Sequence, residues 1–386
     1  MLLNLMKELG IDCYLVFVRE TAAMADPVRD LIIGGDVVWD SAFIFHTHRE
    51  KLTKIAIVGN FDADAERAKG IWTDVLPYTK EISETLQKAI RNLRPSKIAI
   101  NYSVDDVMAD GLTHGMFIKL QTILSSYKRK FKSSEKLIGR IRGRKTKTEL
   151  ELIRNACLET ETINRAVLPQ IRPSMNEKEI QQAFYQEMDQ RSVKESWQRI
   201  SCPAIDVGPD KNFGHLGPID TMKAKHGHTL HNDFGVQLEG YCSDIQRMAF
   251  FGPKESIPDE LTHAFETVRE AIRKAAEFIK PGVKGFEVDN VARNYVLSRG
   301  YSEYQHALGH QVGVRAHDGG VLLGPLWERY GDTPKGEIEE NNIFTLELYV
   351  TTKNYGMVSL EEMIRVTGDG CEFIIPPQEA FITLAS

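Results

Sequence analysis

The apolar positions of this chain repeat with two different periods, and each change of period marks the edge of an element. Before about residue 132, short apolar runs at 13–18, 42–45, 55–58 and 97–101 read as strands. Stretches at 80–93 and 112–124 instead gather their apolar residues on one helical face. Strands alternating with helices predict a small α/β domain over 1–132. A stretch rich in Lys, Arg and Ser follows, YKRKFKSSEKLIGRIRGRKTK, and predicts a solvated linker over 133–147 running into a helix start. Helical periodicity then recurs at 148–167, 176–190, 259–278 and 286–299, the last two stopped by Pro281 with Gly282 and by Gly300. Hairpin-like stretches lie between and after these helices. The prediction for 148–386 is an α+β domain whose helices back a curved sheet.

Two of the hairpins carry opposed acids. In HNDFGVQLEGYCSD, pairing Gln237 with Gly240 sets Asp233 directly opposite Asp244. In NNIFTLELYVTTKNYGMVSLEEMIRV, a turn centred on Asn354 sets Glu347 opposite Glu361. Like charges so placed repel unless a counter-charge lies between them. With one imidazole, His310 from QHALGHQVGVRAHDGG, the four carboxylates make an oxygen-rich cluster that two divalent ions would neutralise. We therefore read Asp233, Asp244, His310, Glu347 and Glu361 as a dinuclear metal site. Its histidine must be neutral to bind, so binding is expected to weaken as pH falls.

Other histidines rank below these. His317, seven residues after His310, and His215 in GPDKNFGHLGP are candidates for substrate contact. In HGHTLH, His231 would share the strand face of Asp233, whereas His226 and His228 are expected at the surface. His46 and His48 beside a strand are expected to be surface or hydrogen-bonded residues.

Composition narrows the partners. The formal charge of -6 gives no reason to expect nucleic acid or an anionic membrane. The first residues, MLLNLMKELGIDCYLVF, are broken by Asn4, Lys7, Glu8 and Asp12 and lack the pattern of a signal peptide. Five scattered cysteines, Cys13, Cys157, Cys202, Cys242 and Cys371, without CxxC spacing, predict a reducing cytoplasm and no cysteine metal site.

The segments NDFGVQLEGYCSDIQR, HALGHQVGVRAHD, IFTLE and SLEEMIRVTGDG, in this order and spacing, resemble the metal-binding segments of the pita-bread metallopeptidases. That family includes methionine aminopeptidase, aminopeptidase P, prolidase and the metal-free creatinase. The resemblance covers about 141–383, and the preceding domain is similar in layout to the creatinase-type amino-terminal domain. It implies that Asp233 binds one metal, that Asp244 and Glu361 bridge both, and that His310 and Glu347 bind the second. It further implies hydrolysis of a peptide bond by a metal-bridging hydroxide, with Glu347 shuttling the proton, His215 and His317 steadying substrate and oxyanion, and His306 in support. Mn²⁺ or Co²⁺ suits a mainly carboxylate site, and Zn²⁺ or Fe²⁺ is compatible. A homodimer is implied by two-domain relatives.

Three positions depart from the family pattern. Leu348 follows Glu347 where a proline is frequent, Ala307 replaces a frequent glycine, and Ser359 stands where prolidase-like members place an arginine. The expected activity is an Xaa-Pro aminopeptidase or dipeptidase. The alternative is a hydrolase or lyase of the same fold acting on a small non-peptide metabolite, ahead of a non-catalytic peptide binder.

Overall fold

The computed structural model describes residues 1–209 and 217–384. The chain divides into two compact units, Met1–Arg142 and Gly143–Ser386.

The first unit contains helices α1 (Leu2–Glu8), α2 (Ala63–Ala68), α3 (Ser83–Leu93), α4 (His114–Ile123) and α5 (Glu135–Gly143). Its strands are β1 (Cys13–Val18), β2 (Ser41–His48), β3 (Lys51–Gly59), β4 (Asp74–Tyr78), β5 (Ile98–Ile100) and β6 (Phe131–Ser133), in the order β4-β3-β2-β1-β5-β6. Neighbours of β2 run antiparallel to it, and the outer pairs are parallel. Every residue of β1 is buried, which is why its sequence, CYLVFV, is apolar without alternation. Leu15, Ile44 and Ile57 pack with Leu86 and Ile90 of α3 and Leu120 of α4. On the other face Tyr14, Val16 and Phe43 pack with Leu5 and Met6 of α1 and with Leu137 and Ile138 of α5. Helix α5 thus occupies much of the stretch expected as a linker. Its amphipathic spacing is hidden in sequence by the density of Lys and Arg around it. His46 is buried in β2 and His48 is exposed.

In the second unit, α6 (Lys147–Val167) and α7 (Glu177–Arg191) each open with a capping box, Thr146 with Glu149 and Asn176 with Glu179. Strands β7 (Lys194–Glu195), β8 (Ala204–Val207), β9 (Thr229–Phe234), β10 (Val236–Leu238), β11 (Tyr241–Cys242) and β12 (Ile245–Phe251) follow. Then come α8 (Asp259–Phe278), α9 (Gly285–Ser298) and strands β13 (Ile343–Thr351), β14 (Met357–Val366), β15 (Cys371–Phe373) and β16 (Ile382–Leu384). The main sheet runs β13-β14-β12-β9-β8, and these neighbours are all antiparallel. Leu346, Leu348 and Leu360 on one face of the β13–β14 hairpin are buried against Leu261, Phe265, Val268 and Ile272 of α8. Each such side chain contributes about 1.5–3 kcal/mol by leaving water. Alternation along these strands therefore turns Glu347 and Glu361 to the opposite face. Toward the β9 and β8 end of that same helix-covered face, Ile205, Leu230 and Phe234 pack with Ile163 of α6 and Phe184 of α7.

The second hairpin has the expected register, Glu347 opposite Glu361. The first does not. Leu238 faces Tyr241 and Asp233 faces Gln246, so Asp244 is diagonal to Asp233 rather than opposite it. The cause is the turn: Glu239 and Gly240 have φ of 50° and 86°, so the tight turn centres on them and uses the one glycine that reaches positive φ freely. The ladder also breaks between Gly235 and Asp244. There the Val236 N–H donates to the hydroxyls of Ser243 (3.0 Å) and Thr160 (3.2 Å). A Cβ on Gly235 would lie 1.9 Å from the Ser243 carbonyl oxygen, so only glycine admits this close approach.

Candidate metal centre

The registers align one row of residues across the sheet: Ala204, Asp233, Gln246, Glu361 and Glu347 stand on successive strands from β8 to β13. Asp244, two residues before Gln246, shares that face. The row ends at the β13 edge, where a strip of irregular chain supplies an imidazole. The Glu347 N–H donates to the Leu308 carbonyl (2.7 Å), and the Thr345 N–H donates to that of His310 (2.9 Å). Gly309 allows this approach, since a Cβ there would sit 1.9 Å from the Thr345 carbonyl oxygen.

His310 Nε2 consequently lies 3.5 Å from Glu347, 3.8 Å from Asp244 and 4.0 Å from Glu361. Ligand atoms of Asp233, Asp244 and Glu361 fall within 4.8 Å of one another, as do those of His310, Glu347 and Glu361. All five residues expected as metal ligands are therefore brought together, with Glu361 common to both groups.

Electrostatics shows what such a cluster costs by itself. Burial, then the charges of Asp233 and Glu347, pushes the Asp244 carboxyl well above its usual range. Burial, then Asp244 and Glu347, does the same to Glu361, with the Gln246 side chain opposing the shift through a hydrogen bond. Burial and Asp233 raise Glu347 to about 8. Burial and the neighbouring His317 hold His310 well below its ordinary value, so it is neutral and has a lone pair to offer. Acceptor oxygens that repel one another beside a neutral imidazole fit divalent cations of the hard or borderline kind.

The remaining candidates divide. The His317 ring is exposed and meets that of His310 edge-on at 4.1 Å, close enough to form a third potential ligand group with His310 and Asp244. His306 is half-buried beside Tyr304 and Tyr349, each at 5.4 Å between ring centroids; Tyr349 follows Glu347 by two residues and shares its strand face. His306 is in none of the ligand groups found among the described residues. His215 lies outside the described residues; on either side of them, the Val207 and Ile219 N–H groups both donate to the buried Glu177 carboxylate. His226 is exposed as expected, whereas His228 is half-buried against Gly208. His231 is buried, its Nδ1 3.2 Å from Asp206 and its Nε2 3.0 Å from Gln246 Oε1.

Sequence reasoning missed Gln246 and Asp206. Gln246 carried a signal, since the two-residue strand period places it on the face of Asp244. It also missed a buried ion pair, Lys145 to Asp318 at 3.2 Å, whose acid directly follows His317 in the chain. Gly313 gives that pair room, as a Cβ there would fall 2.1 Å from the Asp318 carboxylate.

An antiparallel sheet that presents carboxylates from one face, with an imidazole supplied at its edge, is the working surface of a divalent-metal hydrolase. Residues 151–368 match metallopeptidase family M24, and the chain belongs to that family. Its architecture is the pita-bread fold, and divalent metal ions are its cofactor class. The chain is 26% identical over 259 residues to the Xaa-Pro dipeptidase of Pyrococcus horikoshii, covering 66% of this chain and 68% of that protein. It is 26% identical over 249 residues to the Xaa-Pro dipeptidase of Pyrococcus furiosus, covering 63% and 66% respectively. The matches thus span about two thirds of these relatives. Among solved structures, the X-Pro aminopeptidase of Thermotoga maritima aligns with a TM-score of 0.72 at 22% identity, covering 99% of this chain and 98% of that one. An Xaa-Pro dipeptidase of Bacillus anthracis aligns at 0.76 with 21% identity and the same coverage. These two likenesses show the fold. Among the described residues, no helix is long and apolar enough to cross a membrane.

Proposed function

We propose that this chain is an exopeptidase of the Xaa-Pro type that works with two divalent ions, Mn²⁺ or Co²⁺ by preference, held by Asp233, Asp244, His310, Glu347 and Glu361. The observation that carries the reading is the convergence of these five side chains from four segments into two overlapping groups with ligand atoms within 4.8 Å. When bound, the ions polarise the scissile carbonyl and make water a competent nucleophile near neutral pH.

The chain's own groups do the rest. Glu347 is the most exposed of the acids facing His310, at 21% of its side chain against 7% for Asp244 and 2% for Glu361. It can therefore carry a proton between the attacking water and the leaving amine. His317 stands exposed beside His310 and can donate a hydrogen bond to the carbonyl oxygen as charge develops there. His306 and Tyr349 form a ring-lined wall two residues along β13 from Glu347, suited to the compact apolar ring of a proline. His215 is assigned to substrate contact by resemblance. The five cysteines, all free, accord with a cytoplasmic location. A homodimer is the expected assembly.

One observation favours the second reading, a small non-peptide substrate. Ser359 is buried and its hydroxyl donates to Gln246, so this position offers a substrate carboxylate no cation.

Mn²⁺-loaded protein assayed against Xaa-Pro dipeptides and longer Xaa-Pro peptides is expected to release the first residue, with about two equivalents of metal bound. Asp244→Ala should lose both metal and activity. Silence of the fully loaded protein across the panel would shift the substrate to the metabolite class. Full activity of Asp244→Ala would overturn the ligand set.

A further inference from the structure

Beside the acidic row lies a chain of buried polar side chains that the proposed chemistry does not use: Asp206, His231, Gln246 and Ser359, each no more than 6% exposed. Gln246 occupies the position between Asp233 and Glu361 in the row, paired with one on each side. Its amide has two unlike ends, an oxygen that only accepts and an NH₂ that only donates. Which end meets the acids matters: the oxygen would add to their repulsion, and the NH₂ relieves it.

Two neighbours meet the oxygen end. The Ser359 hydroxyl donates to Gln246 Oε1 at 2.5 Å, and His231 Nε2 faces the same oxygen at 3.0 Å. The other nitrogen of that ring faces the Asp206 carboxylate, an acceptor, at 3.2 Å. The two contacts fix the plane of the ring, so Nε2 stays against the amide oxygen. Oε1 is thus occupied twice, and the NH₂ end is left to hydrogen-bond Glu361.

We propose that Gln246 is a positioning residue of the metal centre, its amide locked by His231 and Ser359 so that it donates to Glu361 and orients that carboxylate toward the cations. The proposal rests on the metal-centre reading above. Glu361 is the acid common to both ligand groups, so a swing of its carboxylate disturbs both ions, and partners outside the ligands are commonly worth a factor of about 10–100 in metal affinity.

The test is a calorimetric titration of metal-free protein with Mn²⁺ at one fixed pH, comparing the parent with Gln246→Met, which keeps the volume and removes the donor, and with Ser359→Ala. The melting temperature of each metal-free protein is measured in parallel. Two ions in the parent, with the weaker one bound about 10- to 100-fold less tightly in Gln246→Met and shifted the same way in Ser359→Ala, is the expected result. Parent-like affinities in a folded Gln246→Met overturn the proposal. Should Gln246→Met fail to fold, Ser359→Ala decides alone, and unchanged affinities there overturn it equally. A parent that binds no Mn²⁺ overturns the metal centre itself, a different outcome from a parent that binds two ions and a variant that matches it.

Discussion

Asp26 shows how tightly one side chain can be committed. Its carboxylate accepts from the Val28 N–H (2.9 Å) and from the Asn101 amide at both oxygens, while a Cβ on Gly111 would come within 2.1 Å of it. Burial nevertheless raises its pKa above 3.8, overcoming the hydrogen bonds from Asn101 and Val28. An acid with a raised folded pKa favours the folded state while protonated. That contribution is complete below pH 3.8 and is lost as pH rises through the folded value. As pH rises above 3.8 the parent is therefore expected to lose stability in its first unit relative to Asp26→Asn, which has no proton to release. Hydrogen exchange of the β1 and β5 amides reads this directly, and parallel pH slopes in the two proteins would refute it. At the same scale, the clustering of the acids with His310 was legible in this chain, and the polar side chains beside it were not. Acids opposed across a hairpin advertise a cation, whereas the value of Gln246 lies in which end of its amide His231 and Ser359 leave exposed.

At the scale of elements, the sheet holds the site because its other face is anchored. Helix α8 lays Leu261, Phe265, Val268 and Ile272 against Leu346, Leu348 and Leu360, and Phe265 also packs on Phe381 at 4.8 Å between rings. Phe265→Ala is expected to cost about 3–5 kcal/mol of stability. Since the cavity opens on the helix side, the folded variant should still bind two Mn²⁺; chemical unfolding and metal titration of the same preparation check both halves. Helices α6 to α9 were visible to within a residue or two because their apolar stripes and stops such as Pro281, Gly282 and Gly300 are local signals. Register was less so. The long β13–β14 hairpin has a single consistent pairing, but the β9–β12 hairpin is interrupted at Gly235 and Ser243, and its turn depends on which residues take positive φ.

For the whole molecule, the two units carry separate cores. The buried clusters of the first draw on residues up to Ile141, and those of the second begin at Leu150. A fragment comprising 143–386 is thus expected to fold by itself and to bind Mn²⁺ as the full chain does. Loss of a cooperative melt in that fragment would show that its core is incomplete without the first unit. By itself the sequence determined the division into an α/β and an α+β region, helices α3, α4 and α6 to α9, and the acids opposed across the β13–β14 hairpin, because periodicity and paired charge are written within single elements. Only the tertiary structure decided that Asp233 faces Gln246, that His231 turns inward to Asp206, that α5 is helix where solvated linker was expected, and that Lys145 reaches Asp318. Each of these joins residues far apart in the chain, and close approach at Gly235, Gly309 and Gly313 selects the arrangement through sterics that no local pattern records.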